Sequence, residues 1–284
     1  MTNTKLSKES FTQMKAIACI GIVISHAINA NDPTSIKWLA CGYLWVGVFF
    51  FMSGYGFVYS FTHRNNYLNN VLKNKFCKVY IPFMFAELVF MVVDGQIMGT
   101  GIGEIIQMII GLKLANTVLW YVVEIIVFWL LSVLLLKIDR LSMKTYVISM
   151  VVVYIAFLAA CVVFDVGNWW YLSTSCLILG VAWSSIQENV IKCLNSRLIS
   201  YALAILTIIG FISQYIIGLH QTVLFGISTN YMVTGIRMII IPLFSLMLTL
   251  GWHEIIDSKF NNVLSFVGGY RLRYICTTWL SSKY

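Results

Sequence analysis

The chain has 284 residues, of which 60% are hydrophobic and 11% charged, with a mean hydropathy of +0.84. A soluble domain carries about a quarter charged residues, so this chain has too little polar surface to face water all round, and a soluble fold is excluded. The formal net charge of +8 is a modest excess that the placement of its residues explains without nucleic acid.

Apolar runs of the length a bilayer needs, about 20 residues each, follow one another at 12–30, 39–61, 79–97, 117–136, 145–164, 169–187, 198–218 and 232–251, with a shorter run from 263. The expected fold is all-α: one polytopic transmembrane helix bundle over residues 1–284, with about eight or nine spans. The first run is not a cleavable signal peptide, because Ser25, His26 and Asn29 interrupt it and no small-residue cleavage site follows. The stretch 104–116 is too short and too polar to span, and is expected along the outer interface as an amphipathic segment. No internal repeat points to the paired halves of a secondary transporter.

Basic residues in the connections set the orientation. With the N-terminus inside, the inner segments hold Lys5, Lys8, Lys15, Arg64, Lys73, Lys75, Lys78, Lys137, Arg140, Lys144, Lys192, Arg197 and Lys259, against Lys37 and Lys113 outside. That asymmetry predicts a cytoplasmic N-terminus and absorbs most of the positive charge. The partners it implies are the lipid bilayer and no nucleic acid; oligomeric state is not legible. The seven cysteines form no CxxC pair and most lie within apolar runs, which gives neither a disulfide framework nor a metal site. They read as small hydrophobic residues.

Ionisable groups inside spans are expensive and need a partner or a polar cavity. His26 follows Lys15 by eleven residues on the first helix, which is ~16 Å along the axis, about half-way through a ~30 Å core. Eleven steps of about 100° return to nearly the same azimuth, so Lys15 and His26 share one face. A histidine at that depth can act as a base; the bland alternative is a neutral histidine donating one interhelical hydrogen bond. Glu87, Glu124 and Arg237 are expected at comparable depth, with Asp94 on the Glu87 face nearer the outside. A Glu–Arg pair among them would offset part of the burial cost of each, but which residues touch is not readable from the chain. Lys75 and Lys78, three apart before Pro82, share a face at the inner end of the third span and suit phosphates, or plain positive-inside anchoring. Gly47–Gly56 (GVFFFMSGYG) sets Ser53 and Gly54 after a run of aromatics, a pattern that reads as close helix packing.

The order and spacing of these features resemble the acyltransferase family 3 of integral membrane proteins, which includes O-acetyltransferases of bacterial surface polysaccharides. The resemblance covers most of the chain and is strongest over residues 8–90. It rests on Lys15 and His26, on Gly47–Tyr55, on Lys75, Lys78 and Pro82, and on Leu119–Glu124 (LWYVVE), similar to the tryptophan-led start of a later family helix. The resemblance implies a multi-pass protein of the bacterial plasma (inner) membrane. It would move an acyl group, usually acetyl from cytoplasmic acetyl-CoA, to a hydroxyl of a cell-surface or lipid-linked glycan.

It also implies roles. His26 would be the catalytic base or acyl carrier; Glu124 and Glu87, embedded by their own positions in the spans, are the further catalytic candidates. Lys15, Lys75 and Lys78 would face the CoA phosphates, and no metal would be needed. Ser53 and Gly54 would belong to the packed wall beside the substrate path, on which Trp120 and Arg237 are expected from their positions in the spans. The family commonly has arginine where this chain has the three lysines, so charge is kept and bidentate geometry is lost. The alternatives are a polysaccharide export protein on the same bundle, or an inactive truncated family member.

The tail departs from the family. Residues 263–270 (VLSFVGGY) resemble the start of a late family helix that continues Ser-Leu-Glu-Val-Tyr-Leu, but this chain reads RLRYIC from Arg271 to Cys276. Codons CGC-TTG-AGG-TAT-ATT-TG, with one T restored before them, encode the family's residues. A frameshifted tail over 271–284 is the expectation that follows.

Overall fold

The computed structural model describes residues 8–30, 41–95, 99–138, 142–193, 196–219, 223–224 and 227–255. The ninth apolar run, from 263, and the 271–284 tail lie outside them.

The described chain is helical apart from a two-residue antiparallel hairpin that pairs Val223 with Ser228 and Leu224 with Ile227. Ten helices follow in order: α1 Lys8–Ala30, α2 Gly42–His63, α3 Tyr67–Lys75, α4 Ile81–Val93, α5 Ile102–Ile110, α6 Trp120–Leu136, α7 Met143–Val163, α8 Thr174–Cys193, α9 Ser196–Leu219 and α10 Thr229–Ile255. Among the described residues, six stretches are long and apolar enough to cross a membrane: 10–28, 42–63, 67–93, 143–163, 198–217 and 230–251. The remaining runs expected from the sequence coincide with α6, an apolar helix of 17 residues, and α8, whose second half carries Ser184, Ser185, Gln187 and Glu188. The all-α polytopic bundle is therefore the observed fold.

The third span is longer than its apolar run, because α3 and α4 are joined without a break by a π-helical turn, Phe76–Tyr80. Pro82 accounts for the turn. It has no N–H to give to the carbonyl one turn earlier and its ring crowds that carbonyl, so the helix widens ahead of it.

Contacts divide the chain into two compact units. One holds the chain up to Val58 and from Met150, the other Tyr59–Ser149. In the first unit, α2 and α8 touch backbone to backbone. A Cβ on Gly54 would collide with the Leu177 carbonyl, and one on Gly180 with the Phe51 carbonyl, so each glycine admits the other helix. Gly47 likewise faces Ile241 of α10 and Cys176 of α8. The core around these contacts holds Phe50, Phe51, Met52 and Phe57, all within 2% of full burial.

In the second unit the expected amphipathic segment is helix α5. It folds back beside α4. Tyr80, just before α4, reaches the Ile109 carbonyl at 3.5 Å, and Gly111 packs between Phe83 and Val123. Phe83 lies ten residues before the end of α4, so α5 returns ~15 Å along it. Gly95 (φ 66°) and Gly99 (φ 102°) lie in the connection between α4 and α5, and Gly111 (φ 84°) ends α5 in the left-handed conformation. The amphipathic pattern is used sideways: Ile102, Ile106 and Ile110 form one exposed apolar stripe at i, i+4, i+8.

Candidate functional site

Helix α1 is continuous over 23 residues, so its faces can be read from burial. Met14, Ala18, Gly21 and Ser25 form a buried stripe, while Ile20, Val23 and Ile24 are exposed. Between them run Lys15, Cys19, Ile22 and His26, spaced i, i+4, i+7, i+11 and half-buried throughout. The expected shared face of Lys15 and His26 is thus one continuous flank of α1. Cys19 belongs to it as well, and its i+4 spacing from Lys15 is the signal in the sequence that places it there.

The Lys15 end of the flank is aromatic. The Lys15 ammonium lies 4.5 Å from the centre of the Phe11 ring, a cation–π contact, and that ring neighbours Tyr55 at 6.3 Å between centroids. Tyr55 shares a hydrogen bond with Gln187 of α8. Ser53 is half-buried and Gly54 buried, the latter filling the α2–α8 contact.

At the other end, buried Ser25 accepts the Gly42 N–H at 2.8 Å. His26 therefore stands level with the first turn of α2, four residues from the end of α1. Several polar side chains gather at this end of the unit. Ser173 donates to the Tyr43 carbonyl at 3.1 Å, and Asn168 donates to Thr234 at 3.2 Å. Gln214 donates to the Tyr43 hydroxyl at 2.5 Å.

Arg237 completes this group. Its Nε donates to Gln214 Oε1 at 2.9 Å, and its guanidinium carbon stands 4.9 Å from the centre of the Tyr43 ring. Within its own unit it meets these two neutral side chains and no described carboxylate.

In the second unit, Lys75 and Lys78 do not present one face. The π-turn between them enlarges the angle that three residues subtend. Lys75 is half-buried with its ammonium 3.5 Å from the centre of the Trp129 ring, whereas Lys78 is exposed. A cavity of about 610 Å³ lies beside Lys75, lined mostly by apolar groups such as Leu72, Phe76, Phe83 and Trp129, with Lys73 and Lys75 as its charges.

Glu87 is fully buried. Its Oε2 accepts the Ala115 N–H at 2.8 Å, tying α4 to the connection after α5. Glu124 is buried in α6, and Trp120 opens that helix, half-buried and edge-on to Tyr121. Among the described residues no group of three or more His, Cys, Asp or Glu is placed to hold a metal ion.

Two sets thus emerge: a flank with a cation at one end and an imidazole at the other, and a basic segment whose Lys75 is held on an aromatic ring. A family model described as an acyltransferase domain matches residues 8–272. No curated protein and no solved structure matches the chain significantly.

Proposed function

The chain belongs to the acyltransferase family 3 and is a multi-pass membrane acyltransferase; from that premise we propose that it moves an acyl group, acetyl in the simplest case, from cytoplasmic acyl-CoA to a hydroxyl of a cell-surface or lipid-linked glycan. The observation that carries this reading is the half-buried flank of α1 with Lys15 at one end and His26 at the other. Orientation follows from the basic residues, which put Lys15 toward the cytoplasm. The plasma membrane of a bacterium is the setting that the family's surface-glycan members imply.

Lys15 attracts the CoA phosphates as a point charge; within the second unit, the exposed Lys78 is the lysine of the basic segment presented to phosphates. Lys75 contributes less directly, because the Trp129 ring already occupies its ammonium. The acyl end extends along the flank over the ~16 Å that separate Lys15 from His26. The His26 imidazole takes the proton of the acceptor hydroxyl, and the oxygen attacks the thioester carbonyl. The tetrahedral adduct collapses with cleavage of the carbon–sulfur bond, and the imidazolium returns the proton to the departing CoA thiolate. His26, close to the helix ends, is within reach of an acceptor that never crosses the membrane. Glu87 takes a positioning role in this scheme, since its carboxylate is engaged with backbone. Glu124 remains a proposed catalytic carboxylate and Trp120 a proposed path residue, while Ser53–Gly54 is the packed wall that the resemblance implies.

General-base removal costs roughly 10²–10⁴ in rate. His26→Ala is expected to lose acyl transfer by that factor in membranes that contain the variant at wild-type level. Unchanged transfer by His26→Ala overturns the assignment.

A further inference from the structure

We propose that Arg237 is an anion-recognition residue of the acceptor site, so that the acceptor carries a negative group, a sugar carboxylate or a lipid-linked phosphate, near the hydroxyl that is acylated. The inference rests on the glycan-acyltransferase reading and names the class of its acceptor.

Arg237 lies seven residues into the apolar stretch 230–251, ~10 Å along the helix. A cation at that depth is expensive unless an anion or a polar cavity meets it. Within its unit, Gln214 and Tyr43 meet it, and both are neutral. They orient the group without neutralising it: the Nε bond fixes its rotation and the Tyr43 ring supports its face. Gln214 is itself buried and tied to Tyr43, so the holder is rigid. A guanidinium held this way has further N–H groups in a fixed fork, the geometry that matches a carboxylate or phosphate in two bonds. An arginine that simply snorkels to the interface needs no such holder.

Position supports the same conclusion. Ser25, next to His26, binds Gly42, and Tyr43 binds Gln214, which binds Arg237. Imidazole and guanidinium thus belong to one end of one unit. Thr234, one turn before Arg237, is held by Asn168, which adds neutral hydrogen-bonding groups of the kind sugar hydroxyls use.

The test is equilibrium binding to the full-length protein in lipid nanodiscs, with trigalacturonate, neutral galactotriose and a polyprenyl phosphate as probes. One anionic probe is expected to bind at least about tenfold tighter than galactotriose, a factor that corresponds to ~1.4 kcal/mol. Which of the two binds identifies a carboxylate or a phosphate as the recognised group. Arg237→Gln is expected to erase the preference. Arg237→Lys, which keeps the charge and loses the fork, and Gln214→Leu, which loosens the holder, are each expected to reduce it. Asp32, between α1 and α2 in the sequence, is the control for an in-chain partner, and Asp32→Asn is expected to leave the preference intact. Equal binding of all three probes, a preference that survives Arg237→Gln, or a preference abolished by Asp32→Asn each overturns the proposal. Binding needs no donor and no turnover, so absence of acyl transfer by the wild type would count against the proposed function and leave this result readable.

Discussion

Glu87 and His26 illustrate how differently two embedded titratable groups are used. The Glu87 carboxylate is fully buried and spends one oxygen on the Ala115 N–H, which fixes the non-helical connection between α5 and α6. A buried donor left without its acceptor costs about 1–3 kcal/mol. Glu87→Ala is therefore expected to lower the thermal unfolding midpoint of the detergent-purified protein. Glu87→Gln, which keeps an acceptor oxygen, is expected to keep most of the stability and measurable acyl transfer. An unchanged midpoint in Glu87→Ala, or loss of transfer in Glu87→Gln with stability intact, contradicts the positioning role. The sequence identified Glu87 as embedded from hydropathy alone, but a local pattern carries no record of a partner 28 residues away. The same holds for Arg237. An ion pair was the economical expectation for it, and its neighbours within the unit are a glutamine and a tyrosine. The Lys15–His26 flank was legible because both ends lie on one uninterrupted helix, where spacing fixes azimuth.

Helices show the same division. Eight apolar runs became helices, since a bilayer leaves the backbone little alternative. What periodicity did not reveal is where that regularity breaks. The π-turn before Pro82 merges α3 with α4 and turns Lys75 toward Trp129 while Lys78 stays exposed. The return of α5 along α4 was also hidden, because its apolar stripe fits a membrane surface and a lipid-facing side of a bundle equally well. The GVFFFMSGYG stretch has the pattern of close packing, and the mutual fit of Gly54 and Gly180 shows which helix it packs on. Inserting a methyl group into such a contact costs typically ~1–3 kcal/mol. Gly54→Ala and Gly180→Ala are each expected to lower the unfolding midpoint, and a pair of variants with wild-type midpoints would show that the two helices are not in backbone contact.

For the molecule as a whole, orientation decides which substrate meets which end of α1. Cysteine labelling by a membrane-impermeant maleimide checks it, in a background where the other cysteines are replaced. Cys77, exposed in the π-turn, is expected to react from the cytoplasmic side. A cysteine placed at exposed Asp165, beyond the end of α7, is expected to react from the opposite side. Labelling of both from one side would contradict the orientation. With that settled, the central claim is the His26-dependent transfer of an acyl group from cytoplasmic CoA. It is tested most directly with sealed inside-out vesicles given labelled acetyl-CoA on their outer, cytoplasm-derived face. The account predicts label in the glycan or lipid-linked saccharide fraction with the wild-type protein and none above background with His26→Ala. Equal label in both, or none with the wild type, would contradict it.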